Sequence, residues 1–313
     1  QPAGADHDPP ADTHPTPGAD QPNTGTGDHG DHGGTPSHLS PAGHDLTPQY
    51  DKAAMAAQGD SYQKQLEQIE PDPVKRAEYE ELSKKLSTNL SADEAQRVAD
   101  IRNQIKVHEG DIVTKVLNDG ALKTYLPDQP HTAQTMIDRQ QQMGGSIARG
   151  QDVVGINTPQ GLRDGLALDD KGQGWSPTPV GAESAMQLRY KADADSIPAS
   201  NVPFGGPHKH VPDWNQYGPR TESQYQSPQE QAHYEASQKQ MAAAGGVATP
   251  YTNFDPFTGT GSTGGGVPEW LVDRGTPLPD RAEIWQVNKD GSERLHAVYD
   301  SARGWAVVPE KKP

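Results

Sequence analysis

The stretches able to build a core are two, residues 109–200 and 267–308, and the chain between them, 201–266, is loop chemistry. That interval carries "VPFGGPHKHVPDWNQYGPR" and "FDPFTGTGSTGGG", with one helix candidate, "SPQEQAHYEASQKQMAAA", opening on Ser227 as cap and Pro228 in the first turn. Any fold must therefore close a split core across a long excursion. Connectors of that length are functional or lack structure of their own.

Each half has its own pattern. "GDIVTKVL" is rich in β-branched residues and ends at the turn signal "NDG", "SIARGQDVVGI" is strand-like, and in "AMQLRYKA" Met186, Leu188 and Tyr190 alternate with Gln187 and Arg189. "TPQGLRDGLAL" reads as a short helix with Thr158 as N-cap and Pro159 in its first position. In the second half "AEIWQV" and "ERLHAVYD" flank the Asp290-Gly291 turn and "WAVV" follows, an antiparallel meander of three strands. "RGTPLPD" reads as the turn ahead of it, fixed by Gly275, Pro277 and Pro279.

Residues 50–108 are helical in pattern. Val74, Ala77, Tyr79, Leu82 and Leu86 recur at three- to four-residue spacings, and a second helix follows with Ser91 as N-cap, Asp93 and Glu94 in the first turn, and Val98, Ile101 and Ile105 on one face. Residues 1–49 hold Leu39 and Leu46 as their only large aliphatics, too few for a core, so this segment is predicted to be disordered. The expectation is an α+β chain. It comprises a disordered linker (1–49), a helical hairpin (50–108), and a compact mixed α/β domain (109–308) with a split, mainly antiparallel sheet interrupted at 201–266. A tail (309–313) ends the chain. Hydrophobic residues are 31% of the 313 and Gly plus Pro number 62 (33 + 29), which fits a small core among long polar segments.

A formal net charge of −16 argues against nucleic acid and against a polybasic contact with an anionic membrane. No apolar run reaches the length of a membrane span. The chain has no cysteine, which excludes disulfides, thiolate catalysis and cysteine-based metal sites. No signal peptide is visible, and Gln1 in place of Met reads as a fragment or processed product. His208 and His210 with Asp213 nearby lack further nameable ligands, so no metal site is assigned. The His- and Asp-rich "DHGDHGG" is read as a solvated acidic linker, with loose transition-metal binding as the alternative. "GTGSTGGG" lacks the strand–loop–helix context of a phosphate cradle and reads as a flexible loop.

One constellation remains. Arg149 sits in "SIARGQDVV", Ser176 and Thr178 in "GWSPTPVGAESA", and Glu269 in "VPEWLVDRGTPL". The order Arg, aromatic–Ser–x–Thr, Glu, then "RGT" and a closing strand resembles the ADP-ribosyltransferase toxin pattern. The resemblance implies that Arg149 holds a nicotinamide dinucleotide (NAD), that Ser176 and Thr178 order the pocket, and that Glu269 stabilises the ribosyl cation. Lys115 in "DIVTKVL" is a rival for the basic position. Glu269 and Ser176 are thus the candidate catalytic residues, and Arg149, Lys115 and Thr178 the candidate dinucleotide contacts. The chemistry is coherent: breaking the bond to nicotinamide builds positive charge on the ribose, which a carboxylate stabilises while a bidentate Arg neutralises pyrophosphate. The chain departs from the pattern at "SPTP" and at Val267, two residues before Glu269, where the family carries Glu or Gln. Each residue also has a structural alternative. Arg149 would be a solvated strand-end charge, Ser176 and Thr178 turn residues beside proline, and Glu269 an exposed acid ahead of a strand.

A Pro/Gly/His/Asp-rich linker, charged helices, and a C-terminal domain from "GDIVTKVL" to "AEIWQVNKDGSERLHAVYD" resemble in layout the C-terminal part of large actinobacterial proteins of type VII secretion. Several of those proteins end in toxin or effector domains, and the resemblance implies a secreted or cell-envelope protein from an actinobacterial source, without implying a particular activity. Two readings follow: an exported domain that uses the dinucleotide as transferase or glycohydrolase, or a non-enzymatic secreted binding protein. In the second, residues 50–108 dock a protein partner or the secretion machinery.

Overall fold

The computed structural model describes residues 38–59, 62–85, 90–166, 168, 177–203 and 258–310. Residues 1–37, Ser176, the 208–213 histidine segment and the helix candidate at 227–244 lie outside them.

The helical region contains four helices, α1 (Lys52–Ala57), α2 (Tyr62–Ile69), α3 (Pro73–Ser83) and α4 (Ala92–Arg102). The Asp72 carboxylate accepts from the Val74 and Lys75 amides and Pro73 fills the first position of α3, where no amide donor is needed. Ser91 and Glu94 form a reciprocal capping box on α4. Leu66, Tyr79, Leu82, Leu90, Ala95, Val98 and Ile101 bury one another. Val74, expected on the apolar face of α3, is exposed instead.

Eight strands follow, β1 (Ile112–Leu117), β2 (Gln142–Arg149), β3 (Ser184–Lys191), β4 (Ser200–Asn201), β5 (Trp270–Pro277), β6 (Glu283–Asn288), β7 (Glu293–Asp300) and β8 (Gly304–Val307). They form one antiparallel sheet in the order β4-β5-β2-β1-β3-β6-β7-β8. The α+β class holds, and the split core closes by interleaving. β5 pairs with β2 and β6 with β3, so the C-terminal strands flank β2-β1-β3 on both sides. Short helices α5 (Asp119–Tyr125), α6 (Gln134–Arg139), α7 (Gly150–Val153) and α8 (Pro159–Gly165) connect the early strands. Thr158 caps α8 with Pro159 behind it, as the sequence predicts.

Residues 50–108 pack on the domain that follows: Ala99, Ile105 and Val107 share one apolar cluster with Val113, Ile147, Leu188 and Trp270, and Tyr62 and Ile69 pack against it. Two expectations change. Residues 38–49, expected to be disordered, are part of the fold. His44 is buried with Nε2 3.0 Å from the Gly304 carbonyl, and the Gln49 amide donates to Glu283 at 2.9 Å. "RGTP" is strand rather than turn. β5 runs to Pro277, and the chain reverses over Leu278–Ala282. Glycine at 275 serves the bulge where three β5 residues face Gly144, with φ +83°.

Candidate functional site

The loop leading into β5 is the centre of the site, and it is buried and tied down by its own hydroxyl groups. Thr258, Thr260, Ser262 and Thr263 are all buried. The Thr258 hydroxyl donates to the Ser262 carbonyl at 2.5 Å, that of Thr260 to Ser83 on α3, and that of Thr263 to Gly165 on α8 at 2.5 Å. Residues 261–269 fold back on themselves, with the Thr263 amide donating to Val267 at 2.9 Å and the Glu269 amide to Gly261 at 3.0 Å. Hydroxyl side chains replace the missing sheet partners, which is what a Thr/Ser/Gly segment does best. Gly261 takes φ +74°, and a Cβ there would stand 2.5 Å from Val202 and 2.8 Å from the Arg102 stem.

Arg102 explains that close approach. It ends α4 and is fully buried. Its Nε donates to the Gly261 carbonyl (2.7 Å), Nη1 to Ile105 (3.0 Å) and Nη2 to the Glu269 carbonyl (2.5 Å). Its guanidinium carbon lies 4.3 Å from the Trp270 ring centroid. Burial lowers its pKa to about 10, which leaves it cationic at neutral pH. Tyr62 and Tyr79 bring phenols to the same charge, and burial holds both well above the usual range.

Arg149 reaches the same ring, with its guanidinium carbon 5.5 Å from the centroid. It is buried, not solvated, and it is committed. Nε and Nη2 hold the Asp152 carboxylate at 2.7 and 3.1 Å, and Nη1 donates to Gln65 (3.0 Å) and to the Lys106 carbonyl (3.2 Å). Burial raises the Asp152 carboxyl, and Arg149 opposes that shift.

Glu269 is 6% exposed, so it is not the exposed acid of the structural alternative. Its Oε1 has no hydrogen-bond partner among the described residues. Burial pushes its carboxyl up to about 8, and Arg102 works against the shift. Another buried carboxylate shows what a purely structural one looks like. Glu283 accepts from the Gln49 amide (2.9 Å), the Tyr50 amide (3.0 Å) and the Trp285 indole (2.8 Å). One oxygen of Glu269 has the burial without a partner, which leaves it capacity for a ligand or a proton.

The remaining candidates lie elsewhere. Thr178 is buried against α8, its carbonyl accepting from Arg163 at 2.8 Å. Lys115 reaches the Ser146 carbonyl at 3.5 Å, and burial and Arg274 lower its pKa to about 8. Ser146 pairs with Leu271, two residues from Glu269, or about 7 Å along the strand. The structure thus joins Arg149 and Glu269 through Trp270 and Arg102, and places Lys115 on β1 reaching β2 level with Leu271 of β5 and Thr178 against α8.

Arg102 was not anticipated. The signal was present: Arg102 occupies the stripe position between Val98 and Ile105, where a charge is out of place on an apolar face. Among the described residues no group of three or more His, Cys, Asp or Glu is placed to hold a metal. No helix among them is long and apolar enough to cross a membrane. No family model, curated protein or solved structure matches the chain.

Proposed function

We propose that the chain is an exported effector or cell-envelope protein of the type VII secretion kind, whose domain binds a nicotinamide dinucleotide and acts on it as transferase or glycohydrolase. The observation that carries the reading is Glu269, a buried carboxyl with one oxygen unpartnered among the described residues and a raised pKa. A cation formed beside it would favour its ionised form, so the carboxylate would develop as the ribosyl charge does. Arg149 does not fit the pyrophosphate role, since Asp152 already takes its bidentate face. Lys115, whose Nζ meets the Ser146 carbonyl at 3.5 Å, is left as the basic group for the anionic end.

Incubation with the dinucleotide, followed by assay of free nicotinamide, tests the reading. Release by the wild type and its loss in Glu269→Gln support it. No release by a folded wild type, or equal release by the variant, ends it.

The second reading is a non-enzymatic interaction protein that docks a partner through residues 50–108. The closed Arg149–Asp152 pair favours it, as does Val74, 75% exposed on α3. Partner capture that is lost in Val74→Asp, from a protein that releases no nicotinamide, would select it.

A further inference from the structure

We infer that the sheet carries a peptide-binding groove, filled by residues 44–58 of the chain itself, and that the same segment of a second copy is the partner that can take its place. The groove is independent of any use of the dinucleotide.

Its floor is the face of β3 and β6 that presents Gln187, Arg189, Glu283 and Trp285, set side by side by the register as Gln187↔Trp285 and Arg189↔Glu283. These side chains, with Glu293 of β7, read the main chain laid over them. The Glu283 carboxylate accepts from the Gln49 amide at 2.9 Å and the Tyr50 amide at 3.0 Å. Glu293 accepts from the Lys52 amide at 2.6 Å, and Arg189 donates to the Tyr50 carbonyl at 2.7 Å. Gln58 closes the far end, its Nε2 donating to the Gly110 carbonyl at 2.9 Å and its Oε1 accepting from the Ile112 amide at 2.7 Å. Two side chains anchor the segment. Tyr50 and Met55 are buried with Ile112. Met55 fills a notch at Gly150, where a Cβ would stand 2.8 Å from its Cγ and Sδ.

The segment is held as a bound peptide is held. Among the described residues, every hydrogen bond between 44–58 and the chain beyond Gly59 involves a side chain, so the segment joins no ladder of the sheet. Its departure breaks no strand pairing, and the carboxylates and guanidinium left behind are groups that water hydrates well. Such a segment opens at lower free energy than the sheet beneath it. The fit is also incomplete. Gln187 Nε2, on the buried floor, has no hydrogen-bond partner among the described residues, which a finished core rarely leaves.

The contacts lie between segment and floor, so a second copy's segment makes the same ones. The connection is what differs. After α1 the chain turns at Gly59, with φ +72°, and a Cβ there would meet only the Ala57 carbonyl, at 3.7 Å. A side chain at 59 therefore strains the turn and touches nothing in the groove. A tethered segment acts at an effective concentration of about 1 mM, so the wild type retains its own segment at lower protein concentrations.

The test uses the full chain and a fluorescent peptide of residues 38–58. The peptide is expected to bind the wild type at about 1 mM and to bind Gly59→Val at least about fivefold more tightly, because the strained turn weakens the resident competitor. Peptides carrying Tyr50→Ala or Met55→Ala are expected to lose at least about tenfold in affinity, in a comparison that leaves the chain itself unaltered. Light scattering is expected to show a dimer fraction in Gly59→Val that grows between about 10 µM and 1 mM. Gly59→Ala, less strained than the valine variant, gives the same ordering at lower amplitude. No binding of the peptide to the wild type or to either variant at about 1 mM overturns the groove. Alanine peptides that bind like the parent overturn it as well. Variants that bind the peptide yet stay monomeric through about 1 mM overturn the second copy as the partner. None of these readouts involves nicotinamide release, so the groove and the dinucleotide reading fail separately.

Discussion

Arg102 and Glu269 are joined through the backbone: Nη2 of Arg102 donates to the main-chain carbonyl of Glu269 at 2.5 Å, while Oε1 of the carboxyl has no hydrogen-bond partner among the described residues. The same guanidinium holds the Gly261 and Ile105 carbonyls. One side chain thus staples the end of α4 to the loop that starts β5. Arg102→Met keeps the stem and removes all three donors, stranding buried carbonyls. The expected cost is about 3–5 kcal/mol in urea unfolding. Arg102→Lys should recover less than half, because an ammonium cannot span three acceptors in the guanidinium plane. A loss under about 1 kcal/mol in Arg102→Met would refute the staple.

Glu269 sets a pH dependence with a definite sign. Its folded carboxyl titrates at about 8, against an ordinary 4.5. Between those values the folded chain holds a proton that the unfolded chain has released. Its contribution to stability is complete below the unfolded value and is lost as pH rises towards 8. Glu269→Gln cannot ionise and should lose this slope. Melting temperatures from about pH 5 to 8.5 should therefore fall more steeply for the wild type than for the variant, by about 5 °C or more over the range. Parallel curves would mean that Glu269 ionises like a surface acid.

The elements were largely legible in the sequence and the site was only half so. Periodicity and turn chemistry place β1, β3, the β6–β8 meander and the capped α4 and α8, because those signals are local. The β5 boundary was misplaced. Gly275 and Pro277 look like turn residues, yet the pairing of Gln142 with Pro277 and of Met143 with Thr276 extends the strand past them. Glu269 was singled out by its neighbours in sequence, but its burial depends on Arg102, 167 positions earlier. Gln187 and Arg189 alternate with apolar residues as a solvated face would. Both are nevertheless fully buried, because the chain around Tyr50 folds over that face. Alternation shows that two faces differ, not that one is wet.

Arg149 and Asp152 should behave as a closed structural pair. Arg149→Met leaves a buried carboxylate without its bidentate partner and should cost about 3–5 kcal/mol. Arg149→Met with Asp152→Leu should recover most of that loss, since the partner charge goes as well. Urea unfolding of the two single variants and the double variant gives the coupling energy. A coupling near zero would mean that Arg149 is free for other work, and it would return Arg149 to contention as the anion contact.

Glu283 offers a readout at single amides. It receives the Gln49 and Tyr50 N–H groups and the Trp285 indole, and Arg281 lies 3.6 Å away. Next to it, Arg189 donates to the Tyr50 carbonyl at 2.7 Å and to Glu293 at 2.6 Å. The entering chain is thus held by one acid and one base that also brace the sheet. Glu283→Ala strands three donors and should lower stability by about 3 kcal/mol. More specifically, amide hydrogen exchange at Gln49 and Tyr50 should accelerate at least about tenfold beyond the global loss, because their acceptor is gone while α1 is still anchored by Met55. If exchange at those two amides rises only in step with the meander strands, the N-terminal segment is held by its apolar contacts and the carboxylate is incidental.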